Sequence, residues 1–425
     1  MIYYFIYFLF SPLFFIAIYI GALFNKKIYQ HLKNQKKLFK NLIAKINNLD
    51  RSKTQILMLH AASAGEFEQL QPILKNINKE KYFIIQTFTS PTIYDKEKNN
   101  KLFDFSCYHP FDIWWQSFSF FCKIKPDIYV ITRHDLWPGH ILFASIFKSK
   151  TFYINANIHS KSIWLNIFIR PFSRFIFRHI TQCLVPSESI ATLAQKVIQK
   201  NKIIITGDTR FDQIFNRHLN NKNKKYLPDS FLKSFNIIFG SYDDYDEQII
   251  LKSLITCYPR GSEGLKEMNH KIILVPHEVE DKNIKKISTY LYENKFNPIL
   301  FSNIHNYDEI NNVLIVDKVG ILADLYKYST LAYIGAGFRR GVHSVIEPAI
   351  YGCVVSFGPN IEILDEAKYI YKKELGFMIK NQSDMNNFLK LYKTKEKINK
   401  LSEGIKKYIL ANKNVSKKVL QIIED

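Results

Sequence analysis

The sequence predicts an α/β protein of two doubly wound halves preceded by an apolar segment. Three observations carry that prediction. From residue 51 onward, short runs rich in Ile, Val, Phe and Tyr alternate with stretches of helical periodicity, the pattern of parallel strands joined by crossover helices. The alternation pauses at a polar, lysine-rich tract and then restarts. The chain is long enough, at 425 residues and 47% hydrophobic, for two such domains with large cores.

The elements follow in order. Residues 1–25 carry no charge and are mostly Phe, Ile, Tyr and Leu, long enough as a helix to cross a bilayer core of ~30 Å. Pro12 is positioned to kink it. No basic residue precedes the apolar run and no small-residue cleavage site follows it, so it reads as an anchor rather than a signal peptide, the alternative to a span being a hydrophobic helix or hairpin lying in the membrane surface. Seven lysines between Lys26 and Lys45, with no acid before Asp50, make residues 26–50 a basic juxtamembrane segment. That asymmetry predicts one N-terminal span in the cell's inner membrane with the rest on the cytoplasmic face, held against anionic lipid. Strands are expected at 56–60, 83–88, 128–132, 151–155, 182–185 and 203–206, with helices at 112–123, 138–147 and 187–199. These form a first domain, 51–215. Residues 216–229, with Arg217, Lys222, Lys224 and Lys225, read as a linker. A second domain, 230–425, has strands at 236–240, 271–275, 298–301, 313–316, 331–335 and 354–357. Its helices are expected at 246–256, 281–294, 320–328 and 343–351, with a surface insertion at 259–269 and one basic helix at 398–424. Two such halves predict a cleft faced by the C-terminal ends of both sets of strands.

Charge and cysteines narrow the function. The formal charge of +21 favours anionic partners. Nucleic acid is not among those expected, because the aromatics follow core periodicities and no recognition motif appears. The five cysteines, Cys107, Cys122, Cys183, Cys257 and Cys353, form no C-x-x-C pair and read as core thiols of a reducing compartment.

Polar clusters gather at expected strand ends. After the first strand come small residues 61–65 and then Glu66, in the first turn of a helix whose apolar face is Phe67, Leu70, Leu74 and Ile77. Glu66 can complement the helix dipole or serve as a general base. Arg133 and Asp135 follow the 128–132 strand, and Trp137-Pro138 starts a helix. Arg210 follows the last strand of the first half. In the second half, Pro276-His277-Glu278 closes a strand. Another ends at Gly335 and passes into Gly337, Arg339, Arg340 and Gly341, where the glycines would let the backbone pass close to a ligand. A helix expected to start near His343 or Ser344 would offer free N–H groups to a phosphate, and Glu347 could accept from ribose hydroxyls. No Walker-type lysine follows.

In order and spacing, these segments resemble one family. They are His60-Ala-Ala-Ser-Ala-Gly-Glu66, Asp135-Leu-Trp-Pro138, Gly207-Asp-Thr-Arg-Phe-Asp212, Pro276-His277-Glu278, Gly320-Ile-Leu with Leu325-Tyr326, and His343-Ser-Val-Ile-Glu-Pro with Phe357-Gly-Pro359. The resemblance, from the N-terminus to about residue 380, is to the Kdo (3-deoxy-D-manno-octulosonic acid) transferases of lipopolysaccharide synthesis. These are membrane-anchored GT-B glycosyltransferases that take the sugar acid from CMP-Kdo. It implies a GT-B fold and inverting transfer of Kdo to a lipid IVA-like lipid A precursor, acylated and phosphorylated. Glu66 then corresponds to the general base and Arg210 to a residue steadying developing charge. Pro276, His277, Val319, Gly320, Ile321, Ser344, Val345, Ile346 and Glu347 correspond to nucleotide contacts, with Gly335, Gly337 and His343 beside them. Arg133 and Asp135 stand where many members carry two glutamates, and the loop has Val-His-Ser for the more common Gly-His-Asn. Neither a cofactor nor a metal is expected, CMP-Kdo being a substrate.

The rivals are a GT-B enzyme using another nucleotide sugar and an inactive membrane scaffold. A retaining enzyme of this fold would often carry a second Glu eight residues after Glu347, where Val355 stands.

Overall fold

The computed structural model describes every residue except Met1, Lys222, Arg340 and the side chain of Ile2. Lys222 of the expected linker and Arg340 of the glycine loop therefore lie outside the described residues. The chain divides into two compact units, residues 1–213 with 414–425, and residues 214–413.

The first unit begins with helices α1 (Ile2–Leu9), α2 (Ser11–Phe24) and α3 (Lys26–Asn47). Its seven strands are β1 (Gln55–Ala61), β2 (Tyr82–Phe88), β3 (Phe105–Tyr108), β4 (Ile128–Thr132), β5 (Lys150–Ile154), β6 (Gln182–Val185) and β7 (Ile203–Ile205). They form a parallel sheet in the order β3-β2-β1-β4-β5-β6-β7. The connecting helices are α4 (Ala64–Leu74), α5 (Pro91–Glu97), α6 (Trp114–Ile124), α7 (Pro138–Ile146), α8 (Arg170–Phe177) and α9 (Glu188–Ala194); α10 (Arg210–Asn221) leads out of the unit. Because the sheet is covered on both faces, β1 is apolar at consecutive positions. Ile56 and Met58 enter one core with Phe121 and Ile141, while Leu57 and Leu59 enter the other with Leu70 and Ile73.

The second unit repeats the plan. Its strands are β8 (Phe235–Tyr242), β9 (His270–Pro276), β10 (Pro298–Leu300), β11 (Val313–Ile315), β12 (Leu331–Ile334), β13 (Val354–Phe357) and β14 (Gly376–Met378). They run parallel in the order β10-β11-β9-β8-β12-β13-β14. Its helices are α11 (Asp244–Cys257), α12 (Ser262–Glu267), α13 (Asp281–Glu293), α14 (Leu322–Leu325), α15 (Ile346–Ala349), α16 (Asp365–Lys372), α17 (Gln382–Leu389) and α18 (Lys395–Ala411). A last helix, α19 (Val415–Glu424), belongs to the first unit.

Several expectations are corrected. Strands β3 and β14 were not anticipated; each is a short edge strand of four or three residues, too brief for a periodic signal. The segment 259–269 is no surface insertion. It holds α12, whose Gly264 and Leu265 are buried, and Ser262 binds the chain after α13 through Asn297 N–H at 2.7 Å. The first residues of the expected linker 216–229 are helical, as the end of α10. The expected helix 398–424 breaks at Asn414, which adopts φ +63°, and residues 414–425 leave the expected second domain for the first unit. The cause is a capping carboxylate. Asp212 accepts from Asn414 N–H at 2.8 Å and Ser416 N–H at 2.6 Å, while Val415, Val419 and Ile423 fill the core beside α4. The five cysteines are free thiols, three of them buried.

The stretch Tyr3–Phe24 is long and apolar enough to cross a membrane. It is interrupted at Phe10, just before the Pro that opens α2. Along α1 one side is docked. Tyr4 Oη donates to the Pro138 carbonyl at 3.1 Å, Tyr7 Oη donates to Asp112 at 2.9 Å, and Phe8 stacks on Phe143 at 5.7 Å. Phe5, Leu9, Leu13, Leu23 and Phe24 are exposed.

Replacing the Asp212 carboxylate removes two charge-assisted caps from α19. Asp212→Ala should lower stability by about 1–2 kcal/mol and open the chain near Asn412 to protease. Calorimetric melting and limited proteolysis read this out, and an unchanged cleavage pattern would show that α19 is held by its apolar face alone.

Candidate active site

In the first unit the strand order reverses between β1 and β4, so the loops after these strands diverge and leave a crevice at their C-terminal ends. Glu66, Arg133 and Asp135 all stand there. Ser63 caps α4, and Glu66 completes a capping box: its Oε2 accepts from Ala62 N–H at 2.7 Å and Ser63 N–H at 3.3 Å. Dipole complementation is therefore real, but it occupies only one oxygen. Among the described residues, none donates to Oε1. Glu66 is 6% exposed, whereas residues 63–65 before it are exposed and the space beside Gly65 is open. Burial raises the Glu66 pKa above the ordinary carboxyl value, against the lowering by the two N–H groups and His60, and Asp135 adds to the rise.

His60, the penultimate residue of β1, was not singled out as a site residue. It pairs in register with Thr87 of β2 and Ile131 of β4. Its Nδ1 meets Thr87 Oγ1 at 2.9 Å and its Nε2 meets Asp135 Oδ2 at 2.7 Å. Thr89 Oγ1 donates to the same Asp135 oxygen at 3.0 Å. Burial alone would raise the Asp135 pKa; the His60 and Thr89 bonds and the His60 charge outweigh it and hold the carboxyl below its usual value. The imidazole stacks edge-on against His109 at 4.3 Å, and His109 lies on His140 at 4.1 Å. Burial pushes His140 down to about 4 and His109 well below the ordinary histidine value. Among the described residues, no group of three or more His, Cys, Asp or Glu is arranged to hold a metal ion.

Arg133 follows β4 with φ +60°, an uncommon conformation for a side-chain-bearing residue, and the Tyr153 hydroxyl fixes its carbonyl at 2.6 Å. His134 beside it is pushed down to about 4 by burial and then by the charges of Arg133, His159 and Arg210, so these groups are neighbours. Arg210 is not a free cation. Its Nε donates to Asp208 Oδ2 at 2.8 Å and its backbone N–H to Oδ1 at 2.8 Å. Burial would raise the Asp208 pKa, but Arg210 and Arg133 hold it below the usual carboxylate value. A second network missed from sequence sets the position of this loop. Asn155, after β5, donates to Thr209 Oγ1 at 2.8 Å and Gln69 Oε1 at 3.2 Å, and Thr209 Oγ1 donates to the Gln69 carbonyl at 2.7 Å. Gln69 lies one turn after Glu66 on α4, so the loop carrying Arg210 is tied to the helix carrying Glu66.

In the second unit the reversal falls between β8 and β12. His277, after β9, donates its backbone N–H to Tyr242 at 2.9 Å, and its Nδ1 meets Ser241 Oγ at 2.9 Å. Its ring stacks on His343 at 5.0 Å. The structure thus brings Pro276, His277, His343, Gly335 and Gly337 together. The two glycines are small for a different reason than ligand access. A Cβ on Gly335 would meet Tyr242 Cα at 2.3 Å, and one on Gly337 would meet Gly358 at 2.7 Å. Gly341 and Gly320 are set by conformation, at φ +99° and +85°. The carboxylate of Asp246, which sequence reading passed over, holds the loop: it accepts from Tyr333 Oη at 2.6 Å and Ala336 N–H at 2.7 Å. Burial raises its pKa above the ordinary value.

The remaining expected residues are placed differently. Helix α15 begins at Ile346 and has four residues, so the N-terminus expected at His343 or Ser344 does not exist. Ser344 is half-buried in the loop, Val345 and Ile346 are buried, and Glu347 sits in the first turn with its carboxylate 3.6 Å from Arg217 of α10. Val319 and Gly320 are exposed on the loop before α14, whereas Ile321 is buried in the core.

Comparison with known proteins adds to this geometry. Residues 26–213 match the family model described as 3-deoxy-D-manno-octulosonic-acid transferase (kdotransferase). The 3-deoxy-D-manno-octulosonic acid transferase of Aquifex aeolicus is 29% identical over 77% of this chain and 83% of its own length. That of Rickettsia bellii is 24% identical over 99% and 98%. Among solved structures, a UDP-GlcNAc 2-epimerase from Neisseria meningitidis superposes with a TM-score of 0.61 at 15% identity, covering 87% of this chain and all of that one, which shows a shared fold.

Two outcomes are expected from this site. In a ¹³C-carboxyl titration by NMR, Glu66 should titrate above the ordinary glutamate range. His60→Gln should move that midpoint further up, because the neighbouring charge that favours the carboxylate is lost; an unmoved midpoint would uncouple the two groups. Gly335→Ala should cost about 1–3 kcal/mol in thermal unfolding, since β12 must shift from β8; an unchanged melting temperature would show that the strands part without cost.

Proposed function

Since the chain belongs to the 3-deoxy-D-manno-octulosonic acid transferase family, we propose that this sugar-transfer enzyme moves Kdo from CMP-Kdo to an acylated, phosphorylated lipid A precursor. The observation that carries the reading is Glu66: a buried carboxylate with raised proton affinity, one oxygen pinned by two backbone N–H groups and the other unbonded. Such a group is suited to take the proton of an acceptor hydroxyl as that oxygen bonds to the anomeric carbon of Kdo. The bond from that carbon to the phosphate oxygen breaks on the opposite face, so the configuration inverts and CMP departs with the electron pair.

In this reading His60 and Asp135 act on Glu66 rather than on substrate, and Asp135 keeps His60 oriented. Arg133 and Arg210 supply positive charge for the carboxylate of the sugar acid, with Asp208 fixing the guanidinium of Arg210. In the second unit, His277, His343 and the backbone of Gly335 to Phe338 receive the nucleotide phosphate. Val319, Gly320 and Ile321 provide further contacts, as do Ser344 to Glu347, which act mainly through backbone groups because two of their side chains are buried. The apolar helices α1 and α2 and the lysines of α3 keep the enzyme at the inner membrane, where an anionic lipid acceptor resides, with the catalytic part on the cytoplasmic side.

Glu66→Gln keeps the shape and the capping geometry but removes the base. Transfer from CMP-Kdo to a tetra-acylated lipid A precursor, followed by mass spectrometry, should fall by ~10²–10⁴-fold. CMP affinity by calorimetry should stay unchanged. Near-normal transfer by the variant would overturn the assignment of the base.

A further inference from the structure

The first unit holds a cavity of about 370 Å³ that none of the catalytic groups line. That volume falls within the ~300–1,000 Å³ of small-ligand sites. Its walls are Phe15 and Tyr19 of α2, Leu32 and Phe39 of α3, and Trp115 and Phe120 of α6. The rings brace one another: Phe15 lies 5.6 Å from Trp115, and Phe39 lies 5.3 Å from Phe120. Gln35, Gln116 and Ser119 add neutral polar groups, and among the lining residues Lys36 is the one charge, with no carboxylate. Lys36 is exposed, and α3 carries six further lysines and no acid. The α2 wall continues outward into the exposed residues Leu13, Ile16, Ile20 and Leu23.

We propose that this cavity is a binding site for one fatty-acyl chain of an anionic membrane amphiphile. An aromatic cavity offers its walls to a hydrocarbon tail, which gains ~0.8 kcal/mol per buried CH₂. Uncompensated positive charge at Lys36 and along α3 selects an anionic head over a neutral one. The outer face of α2 gives a tail a continuous apolar route from a bilayer, so it need not cross water. The amphiphile is a bilayer phospholipid, whose binding is independent of the transfer step, or a glycolipid acceptor, in which case the site rests on the transfer proposed above.

The test uses the full-length chain in detergent and palmitate bearing a diazirine on its tail, with labelled residues mapped by mass spectrometry. Labels should concentrate on the cavity walls of α2, α3 and α6. Phosphatidylglycerol should compete and glycerol phosphate should not. Competition by phosphatidylglycerol alone identifies a bilayer lipid as the occupant; equal or stronger competition by a tetra-acylated glucosamine-disaccharide phosphate identifies an acceptor. Filling the cavity with Ser119→Trp should cut wall labelling at least tenfold, with the melting temperature as the folding control. Lys36→Glu should cut labelling by palmitate several-fold but not labelling by a neutral diazirine monoacylglycerol. Labels spread evenly over the exposed faces of α1 and α2, with no competition by either lipid, would overturn the proposal whether or not the variants fold.

Discussion

The first unit's site depends on one buried contact, the 2.7 Å bond between His60 and Asp135. It joins the ends of β1 and β4 across the point where strand order reverses, and Thr89 brings the end of β2 to the same carboxylate oxygen. His60 is fully buried and has no water to fall back on, whereas Asp135 keeps a partly exposed side chain. Removing Asp135 would leave the buried His60 Nε2 without its partner, a loss of about 1–3 kcal/mol. The contact therefore constrains three strand ends at once. Its charges also act on Glu66: His60 favours the carboxylate and Asp135 opposes it. Structural and electrostatic roles cannot be separated at such a junction.

The second unit solves the same topological problem with different chemistry. Its buried carboxylate, Asp246, is satisfied by a tyrosine hydroxyl and by backbone N–H groups instead of an imidazole. Those bonds hold Ala336 at φ +65° and so shape the glycine loop from within. Beside that loop, His277 is exposed and His343 half-buried, with their rings stacked. A loop fixed at Ala336 beside an exposed histidine suits binding, whereas a buried carboxylate with one oxygen unbonded among the described residues suits proton transfer.

Much of this was legible in the chain. Parallel strands buried on both faces must be apolar at consecutive positions, so β1, β4, β9 and β12 announce themselves, and polar residues at their ends mark the crevices. Ser63 and Glu66, three apart, are a capping-box signature read from spacing alone. Other features left no local signal. Strands β3 and β14 are too short to show a period. The start of α15 was misplaced because the loop before it is held by backbone bonds to distant residues, among them Val342 N–H to the Asn360 carbonyl. Gly335 and Gly337 looked like room for a ligand, but their neighbours are β8 and Gly358, visible only once the strands are paired.

By itself the sequence determined the two-fold α/β plan, the strand ends where polar residues gather and the apolar, lysine-flanked start, because each follows from local periodicity or composition. Tertiary structure alone decided which polar residues meet. His60 finds Asp135 across 75 residues, Thr209 finds Gln69 across 140, and Asp212 caps a helix that begins more than 200 residues later. Hydrogen bonds are short and directional, so their partners are chosen by the register and order of the strands, which no local window contains.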